Sequence, residues 1–317
     1  MELSRRRFLE YCSIAAGTIG LTPGDLAGLN EALANPAAPE VIWLHGSSCT
    51  GCSVSFLNRI SDTMGEPASV VEVLTQAINL THHATVMTFA GESCGAVLEH
   101  AVKRGNYILV LEGGVPTAFG GFCCIAYSYK GEEVTYAAAV SELVQHASHV
   151  VCAGTCSSFG GIPAAGINPS NVVSVQAHAG VPTINISGCP ANPNWVVWAI
   201  VQLLLGNPVE LDADNRPVAL YRIERGQNPW EKIHQSCPHK SAYNSGSLAA
   251  DFNDTVNKCL VDLGCRGQWT KAKCDRCWNG IEGEGHWCIG VNSPCHGCTE
   301  PTFPGLQSFF RPYTSGS

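Results

Sequence analysis

From about residue 40 to about residue 205, short apolar runs alternate with longer helix-compatible stretches. Glu40–Leu44, Tyr107–Glu112, His149–Ala153 and Pro182–Ser187 lack the apolar–polar alternation of a half-solvated strand, and each runs into a Gly- or Cys-containing turn. That pattern predicts strands buried on both faces. Tyr136–Ala147 and Trp195–Leu205 read as helices between or after them. Buried strands separated by helices make a doubly wound α/β domain with a parallel sheet, in which ligands sit beyond the carboxyl ends of the strands. After about residue 206 strand signals fade, polar and Gly-rich segments dominate, and eight of the 17 cysteines fall between Cys237 and Cys298. Such a segment is expected to fold around what its cysteines bind.

The N-terminus departs from this pattern. Ser4-Arg5-Arg6-Arg7-Phe8-Leu9 precedes the mostly apolar stretch Tyr11–Leu21, and Ala32-Leu33-Ala34 then forms a small-x-small cleavage triplet. The order of these features reads as a twin-arginine signal peptide over residues 1–34, cleaved after Ala34, rather than an ordinary amphipathic helix. The remaining chain divides into an α/β domain, 35–205, and a C-terminal domain, 206–317. Beyond the leader there is no apolar run of membrane-spanning length, so no transmembrane anchor is expected.

Charged residues make up 14% of the chain, against a typical value of about 25%, and 45% are hydrophobic, which excludes disorder and favours a covered surface. The net charge of −8 argues against broad capture of nucleic acid or an anionic membrane. An exported, cysteine-rich chain would by default be a disulfide framework. Export in the folded state shifts the expectation towards metal ligation.

Cys49-Thr-Gly-Cys52 follows the first predicted strand, Cys156 the third and Cys189 the fourth. All four are therefore expected at one edge of the sheet, where adjacent turns can supply four thiolates to an iron–sulfur cluster while glycines bring amide groups near the sulfurs. Zinc and disulfides remain alternatives for a Cys-x-x-Cys pair. Trp43–Ser53, Gly154-Thr-Cys156 with Gly160–Ala165, and Gly188–Trp195 strongly resemble the small subunit of periplasmic nickel–iron hydrogenases, and the resemblance extends from the leader to Phe310. It implies a flavodoxin-like doubly wound parallel sheet domain followed by an irregular iron–sulfur-cluster domain, with Cys49, Cys52, Cys156 and Cys189 holding a proximal 4Fe–4S cluster. Oxygen-tolerant members carry two further cysteines, where this chain has Gly51 and Gly161. An ordinary proximal cubane is expected.

By the same resemblance, His234, Cys237, Cys259 and Cys265 match the ligands of a distal 4Fe–4S cluster. Cys274, Cys288, Cys295 and Cys298 match a medial set. Many members have proline at the position of Cys288 and a three-iron medial cluster. The fourth thiolate here implies 4Fe–4S, as in the nickel–iron–selenium branch. Cys277 competes with Cys274 as the first medial ligand, and the spacing from Cys265 favours Cys274. Cys94, Cys123, Cys124 and Cys152 fit no ligand pattern and are expected to be buried small hydrophobes.

The resemblance implies an electron-transfer subunit for reversible H2 oxidation. It would be active only with a large subunit that carries the nickel–iron centre, would have a periplasmic cytochrome c as acceptor, and supplies no catalytic side chain itself. A cluster-binding component of a quinone reductase shares the proximal motif, and an exported disulfide-stapled binding protein is the reading from another class.

Overall fold

The computed structural model describes residues 40–58, 78–221, 223–225, 228–231, 233–274, 287–306 and 309–312. The expected leader and Cys277 lie outside the described residues. Five strands form one parallel sheet: β1 (Glu40–His45), β2 (Asn79–His83), β3 (Tyr107–Glu112), β4 (Ala147–Ala153) and β5 (Ile184–Ile186). Their spatial order is β2-β1-β3-β4-β5, the flavodoxin-like order, whose switch point lies between β1 and β3.

Because successive side chains point to opposite faces, each apolar strand serves two cores. Val41, Trp43, Ile108 and Val110 pack with Phe56 of α1 (Gly51–Leu57) and with α6 (Pro193–Leu204). Ile42, Leu44, Leu109 and Leu111 pack on the other face with α2 (Glu92–Arg104) and α3 (Tyr136–His146). Two shorter helices, α4 (Thr155–Phe159) and α5 (Val175–Ala179), complete the set around the sheet. The predicted helices start where caps permit: Thr135 Oγ1 accepts from the Ala138 amide at 3.2 Å, and Asn192 caps α6 ahead of Pro193.

Two elements differ from the sequence expectation. The edge strand β2 was not expected, since Asn79-Leu-Thr-His-His83 has no apolar run; its core positions are taken by His82 and His83, 3% and 0% exposed. A hairpin of Ile125–Tyr129 and Glu132–Thr135 also went unpredicted; Lys130 (φ 55) and Gly131 (φ 80) supply the two left-handed residues its tight turn needs. The last expected strand is shorter than predicted, pairing only over Ile184–Ile186.

The buried histidines make stability pH-dependent. Burial lowers both pKa values to about 4, with His82 and His45 adding to the effect at His83. The Thr85 amide donates to His83 Nδ1 at 3.1 Å, which holds the neutral form. Between pH 6.5 and about 4 the unfolded histidines bind protons that the folded ones refuse, so stability falls as pH drops through that window and is flat above it. Each residue contributes up to about 3 kcal/mol. Denaturant unfolding across this range should show the slope, and His83→Gln should flatten it by about half.

Beyond Leu204 no regular element among the described residues exceeds five residues. Side chains tie this segment to the sheet instead. Ser187 Oγ donates to Thr299 O at 2.8 Å, Tyr221 OH to Ser187 O at 2.6 Å, and Thr155 Oγ1 to Cys298 O.

Candidate functional site

At the carboxyl edge of the sheet, the turn after β1 carries Cys49 and leads through Thr50 (φ 64) into α1, whose first turn carries Cys52. Cys156 stands on α4, directly after β4, and Cys189 follows β5. The four thiols lie within mutual electrostatic range: Cys52 is influenced by Cys156 and Cys189, and both Cys156 and Cys189 by Cys49. Burial pushes Cys52 well above the usual thiol range and Cys156 to about 12. A thiolate at such a site needs a compensating cation. Amides are already directed at the sulfurs: Ala191 N donates to Cys52 Sγ at 3.4 Å, and the Ile162 backbone lowers the Cys156 pKa against the larger effect of burial.

Glycines shape this cradle. A Cβ on Gly154 (φ +94) would stand 2.4 Å from Cys52 Sγ, and one on Gly161 3.2 Å from Cys156 Sγ. Gly154→Ala therefore combines backbone strain of about 1–3 kcal/mol with displacement of a sulfur. A metal centre built on these four cysteines should be lost from that variant, while metal held by the C-terminal segment remains; metal analysis of the purified protein checks this, and an undiminished metal content would contradict it.

Glu112, at the end of β3 and 1% exposed, organises the Cys49–Cys52 turn. Its carboxylate accepts from Trp43 Nε1, Cys52 N and Ser53 N, each at 3.1 Å, and from Ser53 Oγ at 2.5 Å. Sequence reasoning missed this residue. One acidic side chain closing a wholly apolar strand was the available signal.

In the C-terminal segment, one cavity of about 290 Å³ has Cys274, Cys288, Cys295 and Cys298 in its wall, together with Cys189. A second pocket is lined by His234, Cys237, Cys259 and Cys265. Each therefore collects one complete sequence-predicted set. Ile289 stands in both walls and packs with Ile233 and Cys295 between them. Burial raises Cys298 to about 12 and Cys295 well above the usual range, and it lowers His234, so the imidazole is neutral and able to bind metal. Among the described residues no three His, Cys, Asp or Glu side chains close up as the donor shell of one ion, and no disulfide joins two of the described cysteines. A cubane presents its irons at separate corners and takes donors set wider apart than those of a single zinc.

The three sequence-predicted groups of residues adjoin one another in series. Cys189 belongs to the strand-end set and also stands in the wall of the large cavity, where its amide lowers the pKa of the Cys298 thiol against the larger effect of burial. Cys295 N donates to Cys265 Sγ at 3.4 Å, linking that cavity to the His234 pocket. Of the cysteines outside these sets, Cys94 and Cys152 are buried as expected and Cys124 is half-buried. Cys123 corrects the expectation: it is exposed, because the loop through Phe119, Gly120 and Gly121, all at positive φ, turns it outward.

A flavodoxin-like sheet with sulfur-lined sites strung from its carboxyl edge into an irregular segment defines an electron-transfer protein of the iron–sulfur class. Residues 49–203 match the family model described as the NADH ubiquinone oxidoreductase 20 kDa subunit, and residues 230–311 match the model for the C-terminal part of the NiFe/NiFeSe hydrogenase small subunit. The periplasmic NiFeSe hydrogenase small subunit of Desulfomicrobium baculatum is 36% identical over 98% of this chain and 99% of its own length. The periplasmic NiFe hydrogenase small subunit of Solidesulfovibrio fructosivorans is 33% identical over 95% of this chain and 90% of its own. The solved structure of recombinant NiFeSe hydrogenase from Desulfovibrio vulgaris Hildenborough in the oxidised state superposes with a TM-score of 0.75 at 34% identity, covering 88% of this chain and 99% of that one. The chain belongs to the NiFe/NiFeSe hydrogenase small subunits. Small subunits of this family carry iron–sulfur clusters and serve as the electron-transfer partner of a large subunit, with which they form the hydrogenase. The match over the C-terminal segment separates the chain from the quinone reductases, with which it shares the first model.

Proposed function

We propose that the chain binds three 4Fe–4S clusters in series: a proximal one on Cys49, Cys52, Cys156 and Cys189, a medial one on Cys274, Cys288, Cys295 and Cys298, and a distal one on His234, Cys237, Cys259 and Cys265. The observation that carries this reading is the pair of cavities in the C-terminal segment, each lined by one complete four-donor set. The bound clusters supply the one-electron redox chemistry that couples H2 turnover in the large subunit to an external acceptor. The polypeptide's part is to exclude water and hold the donors. The apolar wall of Ile233 and Ile289 and the amides of Cys189 and Cys295 keep successive sites adjacent. His234, a neutral donor in place of a thiolate, makes the distal site the least negative of the three.

Phe119, Phe122, Ile162 and Ile167 are 75%, 63%, 47% and 99% exposed, on loops that Thr117 N ties together by donating to Ser170 O. Ile162 is the member of this group next to Cys156, and the exposed apolar side chains suit the large subunit. Residues 1–34 act as a twin-arginine leader cleaved after Ala34, delivering the folded heterodimer to the periplasm, the location in the relatives' names. No helix among the described residues is long and apolar enough to cross a membrane. The net charge of −8 favours a basic redox partner, of which a periplasmic cytochrome c is the candidate acceptor. Purifying the tagged chain from the periplasmic fraction tests these points together. A co-purifying large subunit, an N-terminus at Asn35 and H2-dependent reduction of cytochrome c are expected; a chain recovered alone with residues 1–34 retained would overturn the reading.

A further inference from the structure

One buried polar atom with no hydrogen-bond partner belongs to a residue in the wall of the cavity that carries the four proposed medial ligands: Nε2 of His296. The ring is firmly held. It lies on Phe309 with centroids 5.0 Å apart and meets the edge of Phe310 at 5.3 Å, while the Arg266 guanidinium sits 5.2 Å over Phe309. Its backbone belongs to the tight Cys295–Cys298 turn, where Gly297 (φ +68) donates its amide to Cys295 Sγ at 3.4 Å. Turning the nitrogen elsewhere would break the aromatic stack. A buried N–H left unpaired costs about 1–3 kcal/mol, so an acceptor is needed. The hydroxyls that line the same cavity point elsewhere and do not reach Nε2: Thr270 Oγ1 donates to Arg266 O at 2.9 Å and Thr299 Oγ1 to Glu300 Oε1 at 3.2 Å. The sulfur of a cluster seated in this cavity would supply that acceptor.

We infer that His296 donates an Nε2–H···S hydrogen bond to the medial cluster and so raises its reduction potential, acting as a positioning residue for electron relay. The inference rests on the medial assignment proposed above. Reduction adds negative charge to the cluster's sulfurs, so an N–H donor stabilises the reduced form more than the oxidised one. Sulfur can only accept, which fixes the proton on Nε2. The role also explains the pairing of His296 with Cys288: the fourth thiolate makes the medial site more negative, and the imidazole donor offsets part of that, keeping the middle step close to its neighbours.

The test is an EPR-monitored redox titration of the intact heterodimer, with iron and sulfide measured on every sample. His296→Leu removes the donor and keeps the bulk; His296→Gln restores a donor. At a fixed ambient potential the Leu variant should hold the medial cluster about tenfold more oxidised than wild type, equivalent to about 59 mV for one electron, with Gln recovering most of the shift. A Leu variant with full iron content and an unmoved medial potential would overturn the inference while leaving the medial assignment standing. Wild-type protein without a third cluster would overturn both. Should the Leu variant fail to assemble, wild-type protein labelled with 15N-histidine decides the matter by pulsed EPR. A second, weakly coupled histidine nitrogen beside the directly bound one of His234 is expected, and its absence rejects the hydrogen bond.

Discussion

Alanine in place of Cys288 should convert the medial centre to a three-iron cluster, visible as a new signal in the EPR spectrum of the oxidised protein. Of the four proposed medial cysteines, Cys288 alone is exposed, Cys274 and Cys298 are half-buried, and Cys295 is buried. Removing the exposed corner takes away one iron's protein donor and leaves the other three in place. Thr270 Oγ1, 3.3 Å from Cys295 Sγ, and the Cys189 amide at Cys298 still hold two of these sulfurs. The variant should lose about one iron per chain, and its medial potential should rise, because a negative ligand has gone. Cys277→Ala should leave both properties unchanged. A three-iron centre in the Cys277 variant would transfer the first-ligand role from Cys274 to Cys277.

Arg216→Met should destabilise the chain by about 3–5 kcal/mol, a large share of the whole stability of a typical domain. Arg216 is 1% exposed. Its guanidinium reaches Asp212 at 2.9 Å, Asp214 at 3.2 Å and Glu300 at 3.3 Å, donates to Thr299 O at 3.1 Å, and lies 5.2 Å over the Tyr221 ring. Burial alone would disfavour its charge, but Glu300, Asp212 and Asp214 together hold it firmly protonated. Without it, three carboxylates face one another around an apolar side chain. Arg216 is also the clamp between the segment after the sheet and Thr299-Glu300, next to Cys298, so medial iron should be lost first on partial denaturation. Arg216→Lys should recover only part of the loss, since a single ammonium cannot serve acceptors on several sides. Denaturant unfolding followed by absorbance and by iron release measures both effects. A change below about 1 kcal/mol would contradict the account.

How far the fold could be read depended on what each residue's neighbours were. Tyr107–Glu112 was legible as a strand because both its faces are core, and Tyr136–His146 as a helix because its buried residues recur with helical period. Asn79–His83 was not, because an edge strand needs no apolar run when two neutral histidines fill its buried positions, His83 against Trp43 on one face and His82 against Cys94 on the other. The twelve candidate ligands were named from spacing and resemblance, and two of the three sets each line one pocket of the structure. The groups acting on those ligands were hidden: Glu112 meets the Cys52 turn across 60 residues, and the Cys295 amide meets Cys265 across 30. Asp212-Ala-Asp-Asn-Arg216 reads as a solvated loop, and only the tertiary approach of Glu300 buries its arginine.

The central claim is that one chain holds three complete four-donor cluster sites in series. Mössbauer spectroscopy of the 57Fe-enriched heterodimer, combined with iron and acid-labile sulfide analysis, tests it most directly. The account predicts about twelve irons and as many sulfides on the small subunit, all in four-iron centres, one of them with a corner iron made inequivalent by His234. Eight irons or fewer, a three-iron centre in freshly prepared wild-type protein, or zinc in place of iron would contradict it.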